Sequence, residues 1–83
     1  MSKYDPLLHY LMENTSPYLK LSFGEIERIL GTGLPQSARH YQAWWSNELN
    51  GNHVQAASWL NAGYSTENLD LSSETVWFRQ ILG

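Results

Sequence analysis

The chain contains no cysteine. This excludes a disulfide framework and a cysteine-ligated zinc knuckle, and makes a cytoplasmic location the expectation. Long apolar runs are missing too, so no membrane span is expected. Residues 1–12, "MSKYDPLLHYLM", are not expected to serve as a signal peptide, having one Lys, an early Asp and too short an apolar stretch. Positive charge is scarce: five Lys and Arg stand against eight Asp and Glu, a formal net charge of −3. No segment is strongly basic, so any contact with nucleic acid lacks a large phosphate-neutralising contribution.

Catalytic and ligand-binding signatures are equally thin. His9, His40 and His53 show no metal-ligand spacing, so no metal site is expected. There is no glycine-rich phosphate loop and no G-x-S-x-G, and the carboxylates lack the nearby lysine that a nuclease site wants. The sequence therefore predicts a protein that is not an enzyme and has no cofactor.

What the chain does have is rings. Four Trp and five Tyr stand among 83 residues of which 42% are apolar. A chain of this length makes one compact domain, here residues 1–83, whose core depends on a few large side chains with polar handles.

The elements follow from patterning. Asp5 is placed to cap a helix with Pro6 at its first position, and Leu7, Leu8, Leu11 and Met12 form its apolar face. "NTSP" ends it, because Pro17 cannot continue the ladder. "YLKLSF" alternates, setting Leu19, Leu21 and Phe23 opposite Lys20 and Ser22, which predicts a short strand. Ser22 and Glu25 then fit a capping box, Leu21 and Ile26 a hydrophobic staple, and Gly31 a left-handed stop.

A helical turn is predicted at 35–41, with residues 42–49 open between helix and strand. Asn52 is placed to cap a helix over residues 53–62, with Ala56, Trp59 and Leu60 on one side and Gln55, Ser58 and Asn61 largely on the other. "STENLDL" and "TVWFRQI", separated by "SSE", predict a β-hairpin. Its Leu69, Leu71, Val76 and Phe78 should face the core, and Trp77 and Arg79 the opposite side.

The fold class expected is α+β: three helices, a short strand and a C-terminal hairpin in winged-helix order. The helix at 53–62 would then be the recognition helix and 72–75 the wing tip. The connection of about 20 residues before that helix is long against the 3–4 of a helix-turn-helix unit.

Over nearly its whole length the chain also resembles a family of small uncharacterised bacterial and phage domains. The resemblance is carried by "YDPL", "LSFGEIERILG", "LPQSARHYQAWWSN", "AASWLNAGY" and "VWFR", in that order. It implies host-defence or mobile-element settings, and through them nucleic acid.

The contact residues expected on this reading are Arg39, His40, Trp45, Asn47, His53, Gln55, Ser58, Asn61, Trp77 and Arg79. Gln55 and Asn61 suit adenine's N6 and N7 in the major groove of double-stranded DNA. Arg39, His40, His53 and Ser58 suit phosphate or water-mediated contacts, and an exposed indole suits a base. Of the neighbours Trp44 and Trp45, only one can easily face the core. The alternative is a protein partner or a homodimer, anchored by exposed aromatics on an acidic chain.

Overall fold

The structure, a computed structural model, describes residues 2–49 and 54–81. The first helix, α1 (Asp5–Glu13), has Tyr4 at its N-cap with no side-chain cap, so Asp5 is its first residue and not its cap. Leu7 and Leu11 are buried, whereas Met12 is 62% exposed and drops out of the expected apolar face. Strand β1 (Tyr18–Ser22) runs directly into α2 (Phe23–Leu30).

The junction is local chemistry. Glu25 N–H donates to Ser22 Oγ at 3.0 Å and Ser22 N–H donates to Glu25 Oε1 at 2.8 Å, the reciprocal capping box. Gly31 closes the helix at φ 76°, a left-handed conformation that costs a residue without Cβ nothing.

The connection that follows holds more structure than the sequence predicts. A short helix, α3 (Gln36–His40), occupies the expected helical turn, and residues left open resolve into a 3-10 turn over Gln42–Trp45. Helix α4 (Val54–Leu60) comes next, so the described chain has four α-helices where three were expected. The predicted Asn52 cap and His53 lie outside the described residues.

Strands β2 (Tyr64–Asp70) and β3 (Thr75–Gln80) form the predicted hairpin. β3 also pairs antiparallel with β1, which gives a three-stranded sheet of order β1-β3-β2. The architecture is α+β.

Register decides which side chains go inside. Leu19 and Leu21 sit opposite Phe78 and Val76, and all four belong to the face on which the helices pack. Leu69 and Leu71 pack at the margin of this core, half-buried. Its centre is aromatic: Trp45 stacks between Phe23, 4.9 Å away, and Trp59, 6.0 Å away, and Phe78 meets Trp59 edge-on. Such pairs add about 0.5–1.5 kcal/mol each beyond the area they bury.

Candidate nucleic-acid interface

The polar stretch around the two adjacent tryptophans is mostly internal bracing. Trp45 is 3% exposed and its Nε1–H donates to the Ala38 carbonyl at 2.7 Å. That corrects the expectation that Trp45 contacts a ligand: a stacked ring with its one donor satisfied is core. Trp44 is half-buried, edge-on to Trp45 at 4.7 Å and to Tyr4 at 5.9 Å.

Asn47 is exposed, yet each end of its amide is engaged. Its Oδ1 accepts from Trp59 Nε1–H and from Thr66 N–H, both at 2.9 Å, and its Nδ2 donates to the Thr66 carbonyl at 3.0 Å. The Thr66 hydroxyl in turn donates to the Trp45 carbonyl at 2.6 Å.

Helix α4 does not present the polar face the sequence predicts. Gln55 and Ser58 are each only 5% exposed. The Gln55 amide donates to the Trp44 carbonyl at 3.0 Å, and the Ser58 hydroxyl to the Gln55 carbonyl at 2.6 Å. The helix packs against both α1 and β2, and the residues covered include Gln55 and Ser58, while Val54 stays exposed. Reading Gln55 and Ser58 as base or phosphate contacts is therefore corrected. Asn61 is exposed. His53 lies outside the described residues.

Arg39 is a clamp between three elements. Its guanidinium grips Glu27 of α2 at 2.9 and 3.3 Å and Glu74 of the hairpin turn at 3.1 Å, and lies 5.8 Å from the centroid of the Phe23 ring. The hydrogen bond from Arg39, helped by the Leu34 N–H, lowers the Glu27 pKa, and the Glu27 carboxylate raises that of Arg39. Glu74 holds this corner in a left-handed backbone conformation, φ 56°, from which its carbonyl accepts the Phe23 N–H at 2.9 Å. With two carboxylates on one guanidinium, little positive charge is left for a phosphate. His40 is exposed beside it and bonds Gln36 at 3.1 Å.

Two predicted contact residues do come together on the outer face of the sheet, Arg79 exposed and Trp77 half-buried. Trp77 and Arg79 flank the buried Phe78 and point to the other face of the sheet, and cross-strand register sets Lys20 opposite Trp77 and Tyr18 opposite Arg79. The Tyr18 and Trp77 rings stack 4.3 Å apart at 18°. Arg79 stands 4.4 Å from the Tyr18 centroid, and Lys20 Nζ 5.9 Å from that of Trp77. Arg79 is paired with Glu67 through two bonds of 2.8 and 3.0 Å, which lower the Glu67 pKa and raise that of Arg79. Lys20 is in no ion pair among the described residues.

Sequence reasoning missed Tyr18 and Lys20. The signal available was the alternation of "YLKLS", which already set them opposite Leu19 and Leu21.

A groove of about 490 Å³ runs between the 3-10 turn and the open edge of β2, lined by Gln42, Asn47, Thr66 and Glu67 among others. No Lys, Arg or His lines it, so it does not suit phosphate. Among the described residues no group of three or more His, Cys, Asp or Glu could hold a metal ion, and no helix is long and apolar enough to cross a membrane.

A family model described as a domain of unknown function, DUF7662, matches residues 4–81. The chain belongs to the DUF7662 family. No curated protein and no solved structure matches it. In this DUF7662 domain the match takes in all the elements described above, from α1 to β3.

Proposed function

We propose that the chain is a non-catalytic, regulatory DNA-binding module with a winged-helix-like arrangement. The observation that carries the reading is the open sheet face, where Trp77, Tyr18, Lys20 and Arg79 put two rings and two cations together. Rings and cations are the groups that hold bases and phosphates.

The arrangement adds support. The β1-β3-β2 sheet and the α1-β1-α2 start resemble a winged helix, with the turn between β2 and β3 in the place of the wing tip, although an additional helix precedes the hairpin. The link from α2 to α3, residues 31–35, is close to helix-turn-helix length and starts with Gly31. Trp77 and Arg79 remain contact residues on this reading, with exposed His40 and Asn61 as outlying ones.

Anisotropy of labelled duplexes at low salt tests it. Saturable binding is expected, weakened by Lys20→Glu and Arg79→Glu. One phosphate contact, from Lys20, gives a slope of log K against log salt of about −0.9. No binding up to roughly 100 μM protein, a level at which even weak non-specific complexes form, removes the reading.

A second reading, a protein-interaction module or homodimer, is favoured by Tyr10, Met12, Tyr41, Leu49 and Val54, which are exposed on an acidic chain. Light scattering across a concentration series addresses the homodimer, and a strict monomer removes that version.

A further inference from the structure

We propose that the Trp77 indole is a stacking site for one unpaired DNA base, with Lys20 on the adjoining phosphate. The inference rests on the DNA-binding reading and deepens it by naming the feature of DNA that the sheet face takes.

The geometry is that of a braced ring. Tyr18 reaches across β3, its ring between Trp77 and Arg79, and its hydroxyl accepts from Asn68 Nδ2 of β2 at 2.7 Å. Trp77 and Arg79 lie at 4.3 and 4.4 Å from the same ring, too close for both to share one side of it, so they occupy opposite faces. Glu67 fixes Arg79 from β2. One indole face is thus held against a tyrosine that is itself tied at two further points, and the indole is positioned before any ligand arrives.

Register sets Lys20 of β1 and Glu67 of β2 on either side of Trp77; Glu67 is engaged by Arg79, whereas Lys20 is an exposed ammonium 5.9 Å from the indole centroid and in no ion pair among the described residues. The indole N–H makes no hydrogen bond among the described residues and is not a buried orphan. A flat base covers the other indole face better than an ammonium does. Lys20, displaced from the ring, is then left within reach of the phosphate of the same nucleotide, which is the charge complementarity of the site.

The base has to be unpaired, because a base within a duplex has both faces covered by its neighbours. Only one is accommodated, because both faces of Tyr18 and one of Trp77 are already taken. The end of a strand or a single overhanging nucleotide fits that description.

The test compares three short duplexes of one sequence by anisotropy: blunt, with a single overhanging thymidine, and with an abasic nucleotide in place of that thymidine. The thymidine overhang is expected to bind about five- to a hundredfold tighter than the blunt duplex, the range of one base–aromatic stack. The abasic overhang, which keeps the phosphate, should return most of the way to the blunt level. Trp77→Val should abolish the gain, and Lys20→Gln should reduce it and flatten its salt dependence.

Equal affinity for blunt and thymidine duplexes overturns the stacking site and leaves the DNA-binding reading standing. An abasic overhang as good as thymidine also overturns it, as does a gain that survives in Trp77→Val. If none of the duplexes binds, both readings fall. Should Trp77→Val fail to fold, the abasic comparison on the wild-type protein decides. A dimer that Lys20→Glu disperses assigns the face to self-association and overturns the proposal.

Discussion

Trp45 and Trp59 on one side of the sheet, and Trp77 on the other, are the same residue type in two settings. The first two are stacked in the core with their indole N–H groups donating to the Ala38 carbonyl and to Asn47 Oδ1. Trp77 is stacked as closely, on Tyr18, yet its N–H makes no hydrogen bond among the described residues. Ring stacking therefore does not separate a structural tryptophan from a presented one. The fate of the indole proton does, since a buried donor needs a partner inside and a presented one does not.

The contrast is broken most directly by truncation. Trp59→Ala should destabilise the domain by about 3–5 kcal/mol. Trp77→Val should cost about 1 kcal/mol, the worth of one lost aromatic pair. Equal shifts of the two urea midpoints would show that the outer face is as structural as the inner.

Asn47→Ala comes next in size. It removes the acceptor for both Trp59 Nε1–H and Thr66 N–H, and about 1–3 kcal/mol is expected. Thermal or urea unfolding measures this, and an unchanged midpoint would show that water replaces the amide.

Arg39→Met should cost about 1–2 kcal/mol, because two carboxylates lose one guanidinium at a partly solvated site. The cost should shrink in high salt. Arg79→Met, on the exposed face, should move the urea midpoint less than Arg39→Met does, because its ion pair is fully solvated.

Acid draws the finest distinction. Ser22 lowers the pKa of Glu25, Arg39 that of Glu27 and Arg79 that of Glu67, each below an ordinary 4.5, and the Ser72 and Ser73 groups bring Asp70 from 3.8 to about 2. Because these carboxyls hold protons less tightly when folded, the unfolded chain protonates first. Their stabilisation is full well above pH 4.5 and is lost as pH falls from there toward about 2. A urea midpoint independent of pH across that window contradicts this. Arg39→Met should remove part of the dependence.

Much of the fold could be read from neighbours in sequence. The Ser22–Glu25 box, the Gly31 stop and the alternation of "YLKLS" and "TVWFR" are interactions over a few residues, and the structure has each of them. The winged-helix comparison rested on element order alone, and order says nothing about which helix face is covered.

The candidate site was less legible for that reason. Gln55 and Ser58 sit on a polar stripe, which signals solvent only when a helix has a single buried side. α4 has α1 and β2 as neighbours, and its polar groups are satisfied by the carbonyls of Trp44, eleven residues away, and of Gln55 within the helix. Asn47 and Thr66 meet across 19 residues, and Arg39 and Glu74 across 35. No local pattern encodes such distances. Trp77 was placed correctly because strand parity is local, whereas its partner Tyr18 needed the register of a strand far away in sequence.

The amide of Asn47 has one more effect, on how copies of the chain behave toward each other. By meeting both the N–H and the C=O of Thr66, a single side chain imitates one residue of an additional strand along the outer border of the sheet. Asn68, at φ 51° beside a break in register, bends the same border away from a straight line. A neighbouring molecule thus meets a border interrupted at Thr66 and irregular at Asn68, which hinders growth of a continuous cross-molecular sheet from that side.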